Sequence, residues 1–123
     1  RFSDELEHLL MAGADLFLMP SQYEPCGLTQ MRAQRYGTIP VARRVGGLAD
    51  TIDDSVTGFL FDAFEERAAA GAVWRALTEM RSPKAWQEMQ REAMSRDFGW
   101  DRVAEKYLSI YTDAISHRAR HSA

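Results

Sequence analysis

The chain has 123 residues, with 15 lysines and arginines against 18 acids for a formal charge of −3, and a single cysteine. That length fits one domain able to bury about two-thirds of its unfolded surface, and the absence of a basic run or an arginine stripe interleaved with aromatics excludes a nucleic-acid-binding class. A lone Cys26 excludes a disulfide framework, a CxxC pair and zinc-ligand spacing and points to a reducing, cytoplasmic compartment, and no apolar run approaches a membrane span.

The chain opens at Arg1 without an initiator methionine, and Leu6, Leu9, Leu10 and Met11 read as part of a helix whose upstream context is missing, so it reads as a fragment. Asp4 to Ala12 has helical spacing, with Gly13 placed to end it. Leu16-Phe17-Leu18-Met19 is a continuous apolar run stopped by Pro20 and Ser21, which predicts a strand buried on both faces of a parallel sheet. Leu28 to Tyr36 predicts a helix of about two to three turns, closed by Gly37 at the C′ position. Thr38-Ile39-Pro40-Val41-Ala42 is the next strand. Pro40 cannot donate to a ladder, which demotes that strand to an edge or a strand end.

Gly46-Gly47-Leu48-Ala49-Asp50 is a second glycine loop leading into a short turn or helix, and Gly58 to Asp62 reads as another short strand. Strand, helix, strand, loop, strand is the logic of a parallel α/β unit. Beyond Asp62 the chain turns helical. Phe64, Ala68, Gly71, Trp74, Leu77 and Met80 fall near one face, and Ser82-Pro83 punctuates before a second helix around Trp86, Met89 and Ala93. Phe98-Gly99-Trp100 breaks that helix, and Trp100, Val103, Tyr107, Tyr111 and Ile115 form the apolar stripe of a last one. Helical spacing makes Trp74, Trp86 and Trp100 core candidates, and the polar tail from Ser116 to Ala123 is expected to fray. Residues 1–62 are the α/β part and 63–123 the helical part, with no internal repeat or linker between them.

The chemistry concentrates in Ser21-Gln22-Tyr23-Glu24-Pro25-Cys26-Gly27-Leu28-Thr29-Gln30. A strand that ends in a glycine-bearing loop and feeds a helix offers unpaired backbone N–H groups to an anion. Glu24 at its rim is awkward for a bare phosphate. It suits a ligand that joins a phosphate to a polyhydroxyl group whose hydroxyls donate to the carboxylate, as a nucleotide sugar does.

Ala12 to Ser21, Glu24-Pro25-Cys26-Gly27-Leu28-Thr29-Gln30 and Gly46-Gly47-Leu48-Ala49-Asp50-Thr51 closely resemble the bacterial glycogen synthase and plant starch synthase family. Thr57-Gly58-Phe59, Met94, Asp97-Phe98, Trp100 and Tyr107 to Tyr111 extend the likeness over nearly the whole chain. The resemblance implies an α/β fold, part of a Rossmann-like GT-B C-terminal domain with parallel strands followed by C-terminal helices. It implies a retaining glucosyltransferase that passes glucose from an ADP-glucose donor to the non-reducing end of an α-1,4-glucan acceptor, without cofactor or metal. The partner domain across the cleft, with a lysine-glycine-glycine loop and the basic residues that clamp the diphosphate, would lie upstream of Arg1, leaving this portion inactive alone. Carried over by resemblance, Glu24 holds donor-glucose hydroxyls near the reacting carbon, and Cys26, Gly27, Leu28, Thr29 and Gln30 form the substrate-binding loop. In many related GT-B enzymes a second glutamate follows eight positions after the first; here Arg32 stands there, as expected of the glycogen and starch synthase branch.

Plainer roles compete. Glu24 could cap a turn or pair with Arg32 or Arg35. Cys26 could be a small buried hydrophobe or a nucleophile, but His8, His117 and His121 lie on distant segments and are expected at the surface, so Cys26 is taken as shaping the loop. Of Arg43 and Arg44, neighbours on a strand, at most one could face a phosphate, and ion pairing is the expected role. Gly46 and Gly47 could donate to ligand or simply supply a turn. Tyr107 and Tyr111 are expected to be exposed, because in the resembled fold the last helix crosses to the other domain; the rival readings are another nucleotide-sugar GT-B transferase of the sucrose- or trehalose-forming type, a noncatalytic nucleotide- or glucan-binding module, and a fragment that self-associates through that stripe.

Overall fold

The computed structural model describes residues 3–121. Arg1, where the fragment reading begins, and Ser122 and Ala123 of the expected fraying tail lie outside the described residues, as does the side chain of His121.

Helix α1 (Asp4–Gly13) starts at Ser3, whose hydroxyl accepts from the Leu6 N–H at 3.3 Å. Strand β1 (Leu16–Met19), helix α2 (Thr29–Arg35) and strand β2 (Ile39–Arg43) follow. Helix α2 ends as expected. Gly37 has φ +76°, its N–H donates to Gln34 at 2.9 Å, and the Thr38 N–H reaches Ala33 at 3.0 Å, the paired bonds of a Schellman ending. The short helix α3 (Gly46–Thr51) leads to strand β3 (Phe59–Phe61), and helices α4 (Glu66–Glu79), α5 (Pro83–Ser95) and α6 (Trp100–His121) complete the chain. The strands form one parallel sheet in the order β1-β2-β3, with Leu16 opposite Ile39 and Val41 opposite Phe59.

The sheet reverses two expectations. Strand β2, demoted for its proline, is the central strand, and β1, expected buried on both faces, is an edge with Leu18 exposed. The Ile39 N–H points to β1 and donates to Asp15 at 3.0 Å. Alternation turns the Pro40 nitrogen toward β3 instead, where pairing starts one residue later, at Val41–Phe59. Gly58 fills that level: a Cβ there would lie 2.9 Å from Pro40 Cγ and 2.6 Å from the Pro40 oxygen. The proline ring thus occupies a place where no ladder donor is required. At the other edge, Asp54 accepts from the Leu60 N–H at 2.8 Å and Arg75 donates to the Leu60 oxygen at 2.6 Å, which closes β3 to further pairing.

Alternation along β2 and β3 divides the core. Ile39, Val41, Phe59 and Phe61 pack on α4 and α5 through Ala72, Ala76, Trp86, Met89 and Ala93, while Ala42 and Leu60 face Leu48 and Ile52. One buried cluster thus joins the sheet to α4 and α5 across residue 62. Helix α5 buries the expected Trp86, Met89 and Ala93. The face of α4 is rotated from the expected one: Ala72 and Ala76 are inside, whereas Trp74 and Leu77 are exposed. Small alanines let α4 lie close on the sheet, and Trp74 stays outside with the Arg81 guanidinium 5.9 Å from its ring centroid. Trp100 is also exposed, so of the three tryptophans only Trp86 is core. Helix α6 continues through Ser116 to His121 where fraying was expected, and Tyr107 and Tyr111 are exposed as expected, their rings 6.3 Å apart.

Candidate functional site: the loop after β1

Because the strands are parallel, the segments leaving β1, β2 and β3 emerge at the same sheet edge, and the Ser21–Leu28 loop meets the start of α3 there. The contact is backbone on backbone. The Gly47 N–H donates to the Glu24 and Pro25 oxygens at 3.3 and 3.2 Å, and a Cβ on Gly46 would fall 1.9 Å from the Glu24 oxygen. Gly46 has φ +45°. The glycine pair is thus a docking surface for the loop, and the Gly47 donor is spent inside the protein.

Two side chains brace the loop. Arg43 donates to the Gln22 oxygen at 2.9 Å and to the Asp62 oxygen at 3.0 Å, clasping the segment after β1 to the end of β3, with its guanidinium 5.3 Å from the Phe64 ring centroid. Arg44 takes the expected ion-paired role, 2.9 Å from Asp62. Gln30, on the first turn of α2, is fully buried. Its Nε2 donates to the Cys26 oxygen at 3.2 Å, the Gly27 oxygen at 2.9 Å and Thr51 Oγ1 at 3.0 Å. Its amide nitrogen is spent on these three protein acceptors, so Gln30 bears on the loop through what it holds.

The other expected residues are exposed or half-buried. Glu24 is half-buried and has no ion-pair partner among the described residues. Its competing partners are engaged elsewhere: Arg32 pairs with Glu7 at 3.0 Å, and Arg35 donates to the Met94 oxygen at 3.1 Å. Cys26 is exposed rather than buried. His8 is also exposed and contacts the Tyr36 hydroxyl at 2.8 Å, and His117 is exposed. Gly27 has φ +66° and Leu28 follows at φ −110°, ψ −26°. A left-handed residue followed by a right-handed one turns successive N–H groups into a shared concavity that suits an anion or an electron-rich oxygen. Neither the Gly27 nor the Leu28 N–H has a partner among the described residues, and α2 has no side-chain cap. Thr29 is half-buried as the first residue of α2. An apolar cavity of about 620 Å³, lined by Leu18, Pro20, Phe61, Phe64 and Glu65 among others, adjoins the beginning of the loop. Among the described residues no cluster of three or more histidines, cysteines or acids could hold a metal ion, and no helix is long and apolar enough to cross a membrane.

Sequence reasoning missed Arg43 as a clasp and Gln30 as a brace. Glutamine in the first turn of a helix beside a glycine turn carries no local mark of burial, and the partners of Arg43 are carbonyls far apart in the chain.

A parallel sheet that gathers its loops at the carboxyl ends of its strands, with a carboxylate and amides unpartnered among the described residues on one of them, defines a Rossmann-like domain of the kind that takes ligands at that edge. Residues 2–93 match the family model for glycosyl transferases group 1, and the chain belongs to that family. It is 47% identical over 119 residues to the glycogen synthase of Thermodesulfovibrio yellowstonii, covering 97% of this chain and 24% of that protein. The catalytic domain of starch synthase IV from Arabidopsis thaliana, solved bound to ADP and acarbose, superimposes with a TM-score of 0.84 at 38% identity, over 94% of this chain and 26% of that one. Sucrose-phosphate synthase from Thermosynechococcus elongatus follows at a TM-score of 0.71 and 27% identity, over 95% and 29%. The fold is thus part of a GT-B glycosyltransferase. The chain spans about a quarter of the length of the curated relatives it matches.

Proposed function

We propose that this chain is the donor-side C-terminal portion of a glycogen synthase that transfers glucose from ADP-glucose to the non-reducing end of an α-1,4-glucan with retention of configuration. The observation that carries this reading is Glu24, half-buried and without an ion-pair partner, on the same loop as the outward N–H groups of Gly27 and Leu28. A carboxylate accepts from glucose hydroxyls, and the two amides donate to the sugar or phosphate oxygens of the donor. Alignment of the ring by Glu24 and stabilisation of charge on the departing diphosphate act most strongly in a closed, water-poor cleft, which a second domain would complete. The exposed Tyr107–Tyr111 stripe of α6 suits contact with that domain. The single Cys26 fits a reducing cytoplasmic setting.

A second reading, another nucleotide-sugar GT-B transferase of the sucrose- or trehalose-forming type, draws on the likeness to sucrose-phosphate synthase. Arg32, engaged with Glu7 where many such enzymes carry a second glutamate, favours the first. The test is turnover by the intact enzyme with ADP-glucose or UDP-glucose as donor and glycogen, fructose 6-phosphate or glucose 6-phosphate as acceptor. Incorporation into glycogen from ADP-glucose supports the proposal, and transfer only to a sugar phosphate overturns it.

A further inference from the structure

We infer that Gln30 is a positioning residue, a buried brace that sets the direction in which the Gly27 and Leu28 amides point. This rests on the reading of the loop as a sugar-nucleotide donor site. The three groups around its amide leave one orientation open. The Cys26 and Gly27 oxygens are acceptors only, and Thr51 Oγ1 commits its proton to the Gly47 oxygen at 2.5 Å, so it too must accept. Only Nε2 can face all three. Oε1 is left buried and without a hydrogen-bond partner, a cost to stability that points to what Nε2 does.

The consequence follows from peptide geometry. In a planar trans peptide the C=O and the N–H of the next residue point in opposite directions. Drawing the Cys26 and Gly27 oxygens inward therefore turns the Gly27 and Leu28 N–H groups outward, and neither has a partner among the described residues. Gly27 is confined from both sides: its φ is +66°, and a Cβ there would lie 2.4 Å from Gln30 Oε1. Thr51 links the same brace to Gly47, whose N–H holds the Glu24 and Pro25 oxygens. One buried amide thus fixes the two outward donors and joins them to the segment that carries Glu24.

The test uses the intact enzyme with ADP-glucose and glycogen. Gln30→Met keeps the length and loses the donors; Thr51→Val keeps Gln30 and loses the hydroxyl that locks it. In Gln30→Met, kcat/KM for ADP-glucose is expected to fall about 100-fold, the scale of a misplaced binding group, while KM for glycogen stays within about twofold and the melting midpoint shows a folded protein. Thr51→Val is expected to fall about tenfold in the same parameter, with Thr51→Ser restoring it. A folded Gln30→Met enzyme within about threefold of wild type in kcat/KM for ADP-glucose overturns the inference alone. If Gln30→Met does not fold, Thr51→Val decides, and an unchanged donor kcat/KM there has the same force. A wild type that neither binds nor consumes ADP-glucose overturns the functional reading and this inference with it.

Discussion

Gly47 and Cys26 meet so closely that a single methyl group on Gly47 would fall 1.7 Å from the Cys26 carbonyl oxygen. No rotamer relieves a backbone contact of that kind. Either α3 or the Glu24–Leu28 loop must move. Gly47→Ala is expected to lower unfolding stability by about 1–3 kcal/mol, as overpacked cores do, and to raise KM for the nucleotide sugar. Urea unfolding together with donor kinetics checks this, and a variant with unchanged stability and KM would show that the contact is easily relaxed.

Glu24 is expected to act on the rate. Glu24→Ala in the intact enzyme should cut kcat severely with little effect on stability, because the side chain makes no ion pair among the described residues. A change in kcat/KM of less than about tenfold, near 1.4 kcal/mol, would remove Glu24 from the reacting centre.

Arg43→Ala should loosen the clasp between Gln22 and Asp62, costing about 1–3 kcal/mol for two charge-assisted bonds to carbonyls and raising donor KM. Arg43→Lys, which cannot span both acceptors with a planar fork, should recover only part of the loss. An Arg43→Lys variant equal to wild type would mean that charge alone matters at this position.

The tryptophans give a stability contrast. Trp86→Ala is expected to cost about 3–5 kcal/mol, since Trp86 is buried in the core cluster with Ile39, Val41 and Phe59. Trp74→Ala should stay within about 0.5 kcal/mol, because Trp74 is 64% exposed. Denaturant midpoints with unchanged slopes measure both, and similar losses at the two sites would contradict the rotation of α4 described above.

Patterns along the chain were enough to read the order of elements and the parallel α/β character, and to single out the loop on which the proposed site rests. These follow from local causes: apolar runs between breakers, Gly37 where a helix must turn left-handed, and Pro83 where one begins. The likeness of Glu24-Pro25-Cys26-Gly27-Leu28-Thr29-Gln30 to one transferase family is likewise a property of the chain. Tertiary structure alone decided which strand is central, because Pro40 is tolerated only where Gly58 leaves the neighbouring level unpaired. It alone chose the face of α4, since close approach to the sheet selects alanines over Trp74. It also gave Gln30 its buried place and Gly47 its reason. Both depend on distances between segments some twenty residues apart, and a periodicity read along one chain has no access to a distance across the fold.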